Sequence, residues 1–375
     1  VRVVLFSHDG NLLGAQRMLL DYLEATAGED DRLLVSPVAG PLLDAVAKLP
    51  RHRALVLPRP PYGEGKLKAV TRRWRYVRRI ARLLREERAD VVYVNTISHT
   101  APLVAARMAG VPALVHVHEG RSYLEGDVER RARVRVLRRV PKLLLAVSQA
   151  TADALVAKGI PASRIRVVHN GIPLPPPRQP GHRAEVGAAD PRVPIFGMVG
   201  GVQPRKGIHH LVDAAAILQQ RGVDARYVVV GGLGEEAYVR QVREAVSRAG
   251  LEKTFLLVGR QPEVDSWLDT FDVFVNPAVE EPFARVNLEA MAHALPVVAA
   301  DVDGTREAVL DGQTGLLVPP RDPAALADAL ARLAADPALR AKLGAAGRAR
   351  VEERFTQGPY CQAIERAIRD VAGCS

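Results

Sequence analysis

Short apolar runs alternate with amphipathic stretches along the first half of the chain. The runs fall at residues 1–6, 33–37, 54–57, 91–95, 113–118 and 143–147, each too short for a stable helix and rich in Val and Leu. They read as buried strands, and strands separated by helical patterns predict a parallel sheet covered by helices. After Val168-His-Asn-Gly-Ile172 prolines crowd the chain, so residues 1–172 form a first domain and residues 173–192 a Pro-rich linker. From residue 193 the alternation restarts, with strands at 194–199, 226–230, 255–258, 273–276 and 297–300 and helices at 207–220, 235–249 and 287–294. Residues 193–354, including an Ala-rich helical stretch at 323–353, form a second domain of the same kind. Residues 355–375 supply a last helix, expected to pack back onto the first domain. The fold class is α/β, with two doubly wound domains facing across a deep cleft.

Charge is distributed unevenly over this frame. Residues 1–178 hold 30 Lys and Arg against 16 Asp and Glu, whereas the remainder holds 22 against 26. Much of the excess lies in 66–88 and 130–142. In the first of these, Leu67, Val70, Trp74, Val77, Ala81 and Leu84 fall on one helical stripe among Arg72, Arg73, Arg75, Arg78, Arg79, Arg82 and Arg85. A solvated amphipathic helix packed on its domain explains the stripe. The surplus charge adds an anionic partner, either a phosphate-bearing acceptor or a membrane surface held reversibly. Nucleic acid is disfavoured, because the basic segments lack an aromatic stacking platform and zinc-finger spacing. No apolar run approaches the roughly 20 residues that span a bilayer, and the first residues read as a strand, not a signal peptide. The expected location is the cytoplasm, with a peripheral hold on the inner face of the plasma membrane. Cys361 and Cys374 read as incidental thiols.

Candidate chemistry collects where strands end. Glu281 and Glu289 stand eight residues apart across a loop-to-helix junction, so Phe283, Ala284, Arg285 and Val286 lie at a helix N-terminus whose free N–H groups suit a pyrophosphate. The two carboxylates are acceptors suited to polyhydroxylated rings. A surface Glu pair flanking a helix start is the plainer alternative. Gly200-Gly-Val-Gln-Pro-Arg-Lys-Gly207 also joins a strand to a helix and sets Arg205 and Lys206 beside exposed N–H groups, a second phosphate element. Gly231-Gly-Leu-Gly234 permits close packing of a cleft wall. In the first domain, Gly10 and Gly14 give the loop after the first strand close backbone approach to a ligand, and His118 and Glu119 end a strand at its carboxyl edge. His116 and His118 share a strand face, but no third residue at metal-ligand spacing joins them.

Together these motifs resemble the retaining glycosyltransferases of family 4, which have the GT-B fold of two Rossmann-like domains. The matching pieces are the N-terminal Gly loop, Val168-His-Asn-Gly-Ile172, Gln203-Pro-Arg-Lys-Gly207, Glu281-Pro-Phe with Glu289-Ala-Met-Ala292, Pro296-Val-Val298, and Asp311-Gly-Gln-Thr-Gly-Leu-Leu-Val318. They span nearly the whole chain. The resemblance implies sugar transfer from a nucleotide diphosphate donor to an acceptor hydroxyl with retention, in polysaccharide, glycolipid or related glycoside assembly. It implies no required metal or cofactor, and a UDP-sugar is favoured over a GDP-sugar. Carried onto this sequence, Arg205, Lys206 and the backbone of 283–286 hold the donor diphosphate, with Gly14 approaching it from the first domain. Glu281 bonds donor-sugar hydroxyls, Glu289 the ribose, and Val258, Gly259 and Arg260 border the base. His118 matches the active-site histidine near the transferred sugar. Three positions depart from the family pattern: Gly201 replaces the usual Arg, Leu13-Gly14 replaces a Gly pair, and Ala284-Arg285 replaces a Gly, predicting a tighter and more positive phosphate loop. A sugar-nucleotide epimerase on the same scaffold and a non-catalytic nucleotide-sugar binder are the alternatives.

Overall fold

The computed structural model describes residues 1–60, 66–126, 128–177 and 181–374. Arg178 and Pro180 of the proline-rich stretch lie outside the described residues, as do the side chains of Lys66 and Leu67 in the basic helix. The chain divides into two compact units, one of Val1–Ile172 with Gln357–Ser375 and one of Pro173–Thr356.

The first unit carries seven strands: β1 Val3–Phe6, β2 Arg32–Ser36, β3 His52–Val56, β4 Val91–Val94, β5 Ala113–Val117, β6 Leu143–Ala146 and β7 Ile165–Val167. All pair in parallel in the order β3-β2-β1-β4-β5-β6-β7. The second unit repeats the plan with β8 Ile195–Val199, β9 Arg226–Val230, β10 Phe255–Gly259, β11 Val273–Asn276, β12 Val297–Ala300 and β13 Gly315–Val318, in the order β10-β9-β8-β11-β12-β13. The innermost strands are buried on both faces, which is why their sequences are continuous apolar runs and not alternating ones. In each sheet the strand order reverses beside the first strand, at β1/β4 and at β8/β11. In sheets of this kind ligands bind outside the carboxyl ends of the strands at such a reversal of order.

Packing within each unit explains where the helices stop. Asp336 accepts the N–H of Leu339 and Pro337 follows it, so the Ala-rich stretch divides into two helices, Pro323–Ala335 and Pro337–Arg354. The helix Gln357–Ala372 packs on the first unit, with Tyr360, Ile364 and Ile368 in a core shared with Leu5, Tyr22 and Tyr93. Its Glu365 takes bonds from Tyr22 Oη at 2.5 Å and from the buried guanidinium of Arg32. Residues from Gly181 onward are fastened to the second unit, Arg183 Nη1 lying 2.8 Å from Asp272 Oδ2.

The helix Lys66–Glu86 departs from its sequence pattern. Val77, Ile80, Ala81 and Leu84 enter the core, the three larger side chains contributing about 1.5–3 kcal/mol each by burial and Ala81 less. Val70 and Trp74 on the same stripe remain 55% and 51% exposed. The stripe is longer than the core it covers.

Candidate active site

In the second unit the loops after β8 and β11 meet at the switch point. The loop after β8 enters a single 3-10 turn, Pro204–Lys206, and turns at Gly207 (φ 66°) into the helix Ile208–Gln220. A Cβ on Gly207 would stand 2.1 Å from the carbonyl oxygen of Pro277, so the two loops are in backbone contact. Val279 N–H donates to Arg205 O at 2.9 Å and locks the same junction. The contact brings Lys206 Nζ to 2.5 Å from Glu281 Oε2, with both side chains nearly buried. Glu281 N–H donates in turn to Asp303 Oδ2 at 2.9 Å. Arg205 projects into solvent.

Phe283 and Ala284 follow on the same loop and are buried, Phe283 packing its ring 5.7 Å from that of Phe355. They anchor the start of the helix Arg285–Ala292, where Ala284 at the N-cap makes no side-chain cap bond. Asn287 N–H donates to Ala284 O at 3.1 Å, and the amide of Val286 ahead of it retains the capacity to donate to an anion. Arg285 Nε bonds Glu289 Oε1 at 2.6 Å, one turn along. Beneath this helix Asn276 Nδ2 donates to Asn287 Oδ1 at 2.8 Å. The tips of β8, β9 and β10 lie side by side: Gly200 N–H bonds Val230 O, and Gly231 N–H bonds Gly259 O. Val258 and Gly259 end β10, and Arg260 beyond them is exposed.

The first unit gathers a second cluster. Gly14 starts the helix Gly14–Ala25 in open space, with no atom within 4 Å of a Cβ built there. Leu13 before it is 57% exposed. His118, just past β5, places Nε2 3.2 Å from Asn95 Oδ1 and its ring 4.1 Å from that of His116. Burial, with a smaller push from His8, holds the imidazolium pKa down to about 3, so the ring is neutral at physiological pH. His8 is itself lowered by burial against the opposing pull of Asp9. His116 Nδ1 lies 2.7 Å from Tyr93 Oη, which uses that nitrogen within the core. Among the described residues no group of three or more His, Cys, Asp or Glu is arranged to hold a metal ion.

Glu119 does not project outward as its strand-end position predicts. Its Oε1 accepts from Ile97 N–H at 2.9 Å and Ser98 N–H at 3.2 Å, and Oε2 from His118 N–H at 3.0 Å. The carboxylate braces the segment after β4. Sequence inspection missed Asn95, His8, Gln16 and Thr96, which join this cluster, and Asp303, which holds the Glu281 backbone. Asn95 carried one usable signal, its place at the end of an expected strand.

Comparison with known proteins gives a consistent outcome. The family model described as glycosyl transferases group 1 matches residues 183–350, and that of glycosyltransferase family 4 matches residues 14–174. Alpha-maltose-1-phosphate synthase of Mycobacterium tuberculosis is 36% identical over 235 residues, 57% of this chain, which spans only 59% of that relative's length. D-inositol 3-phosphate glycosyltransferase of Pseudarthrobacter chlorophenolicus is 31% identical over 308 residues, 75% of this chain and 72% of the relative. Among solved structures, Anabaena Alr3699/HepE in complex with UDP-glucose superposes with a TM-score of 0.87 at 24% identity, covering 98% of this chain and 99% of that one. At that identity the likeness is one of fold.

Proposed function

This chain belongs to glycosyltransferase family 4, and from that premise we propose that it moves a sugar, with retention, from a nucleotide diphosphate donor to an acceptor hydroxyl. The observation that carries the reading is the 2.5 Å contact between Lys206 and Glu281 at the switch point, beside a helix start without a side-chain cap. A diphosphate bound there draws Lys206 toward its oxygens and leaves Glu281 an acceptor for donor-sugar hydroxyls. Arg205 and the amides of residues 283–286 add donors for the negative charge that grows on the departing nucleotide as the glycosidic bond breaks. These groups supply the positive field that a metal ion supplies elsewhere, which supports transfer without one.

Val258, Gly259 and Arg260 border the base in this reading, and Glu289 reaches the ribose once Arg285 turns from it to the phosphates. His118 and Gly14 serve the transferred sugar and the diphosphate from the first unit. A UDP-sugar is the favoured donor, in keeping with the UDP-glucose held by the Anabaena relative. The basic first unit fits a phosphate-bearing or membrane-borne acceptor, in polysaccharide, glycolipid or related glycoside assembly at an anionic membrane face.

Transfer from a radiolabelled sugar nucleotide, and its slow hydrolysis without acceptor, should be abolished by Glu281→Ala and by Lys206→Ala. Unchanged turnover in both variants sinks the reading. Conversion of the donor to an isomer without acceptor would point to an epimerase, and donor binding without turnover on a broad acceptor panel to a binding protein.

A further inference from the structure

Asn95 follows β4, is 1% exposed, and has both ends of its carboxamide engaged. One end lies 3.0 Å from the carbonyl oxygen of Ala15. That oxygen only accepts, so the amide nitrogen must face it and Oδ1 must face the other way. Oδ1 lies 3.2 Å from Nε2 of His118. A carboxamide oxygen also only accepts, so Nε2 must carry the proton. The neutral ring has a single N–H, and Nδ1 therefore keeps its lone pair. Among the described residues Nδ1 has no partner, and it is not sealed in the core as Nε2 of His116 is.

We propose that Asn95 is a positioning residue that holds His118 as the Nε2–H tautomer and presents Nδ1 as a hydrogen-bond acceptor to a hydroxyl of the transferred sugar. This rests on the transferase reading above. The surrounding groups favour the same state. Glu119 spends its carboxylate on backbone amides, and His8 turns to Gln16 and Thr96, so neither offers the imidazole a competing partner. Ala15 lies in the first turn of the helix that begins at Gly14, so one buried side chain fixes both the ring and that turn. An acceptor-only nitrogen selects an O–H donor. A donor sugar whose contacting hydroxyl is replaced by fluorine or a methyl ether loses the contact.

Nitrogen-15 spectra of the imidazoles in the donor-free protein at neutral pH test the tautomer directly, with the His118 signals identified by their loss in His118→Gln. Protonated Nε2 and bare Nδ1 are expected, and a protonated Nδ1 in the wild type overturns the proposal whatever any variant does. In Asn95→Ala the ring should become a mixture of tautomers. In Asn95→Asp it should keep Nε2–H, because the carboxylate still accepts. Sugar transfer by Asn95→Ala should fall roughly tenfold to a hundredfold in kcat, by analogy with the loss of a group that orients a metal-bound histidine, with donor KM moving less than about threefold. A wild-type kcat in that variant also overturns the proposal. The spectra need no substrate, so a wild-type protein with no transferase activity would fail the functional reading and leave the tautomer to be judged on its own.

Discussion

Glu119 ends β5 beside His118, yet its carboxyl group is packed against the segment after β4. Burial pushes its pKa up to about 7, despite the hydrogen bonds from Ser98, His118 and Ile97 that pull the other way. A carboxyl whose folded pKa exceeds its unfolded value favours the folded state while protonated. The contribution is full below about pH 4.5 and is lost as pH rises through about 7. Urea unfolding across that window should show wild type losing stability relative to Glu119→Gln by up to about 1.4 kcal/mol per pH unit. A difference independent of pH would mean the carboxyl ionises normally. Position in the sequence located this residue at the strand end but not the direction it faces, because its partners lie 21 and 22 residues earlier. Lys206 and Glu281 were each legible as polar residues at strand-end loops, but their contact crosses 75 residues and depends on loop packing. The Arg285–Glu289 pair is different. It follows from helical i, i+4 spacing alone and was open to inspection.

At the scale of elements, Gly207 joins the turn that carries Lys206 to the helix behind it. Its φ of 66° and the 2.1 Å approach of an added Cβ to Pro277 O leave no room for a side chain, and the obstacle is backbone that cannot swing aside. Gly207→Ala should lower unfolding stability by about 1–3 kcal/mol, from left-handed strain and a displaced loop, and should weaken donor binding in parallel by titration calorimetry. Wild-type affinity in a destabilised variant would show that the loop contact does not set the position of Lys206. Most strands were legible as short, largely apolar runs, and those innermost in each sheet are buried on both faces. The exceptions were β7 and β13. The first is a three-residue edge strand interrupted by Arg166, and the second opens on Gly315, where an added Cβ would stand 2.3 Å from Val297 O. Apolar periodicity over Lys66–Glu86 gave the helix but not the limit of its burial, which the neighbouring core decides.

Over the whole molecule, charge divides along the same line as structure. Val1–Ile172 with Gln357–Ser375 holds 31 Lys and Arg against 18 Asp and Glu, and the other unit 21 against 24. On Lys66–Glu86 the exposed Arg75, Arg78, Arg79 and Arg82 have no carboxylate partner among the described residues, and Trp74 stands exposed beside them. No helix among the described residues is long and apolar enough to cross a membrane, so attachment through this surface would be electrostatic and interfacial. At about 1 kcal/mol per basic residue near an anionic surface, four arginines suffice for reversible association but not for permanent anchoring. Sedimentation with vesicles rich in anionic lipid should therefore be strong at low salt and weaken as the Debye length shrinks from about 30 Å at 0.01 M to about 8 Å at 0.15 M. Exchanging Arg78 and Arg82 for Gln should lower the partition coefficient by an order of magnitude or more, about 2 kcal/mol. Trp74→Ala should weaken binding at every salt concentration, because the indole at the headgroup level adds a term that ions do not screen. Equal binding to zwitterionic vesicles, or none to anionic ones, would remove the membrane from this reading. The basic surface would then be left to a soluble, phosphate-bearing acceptor.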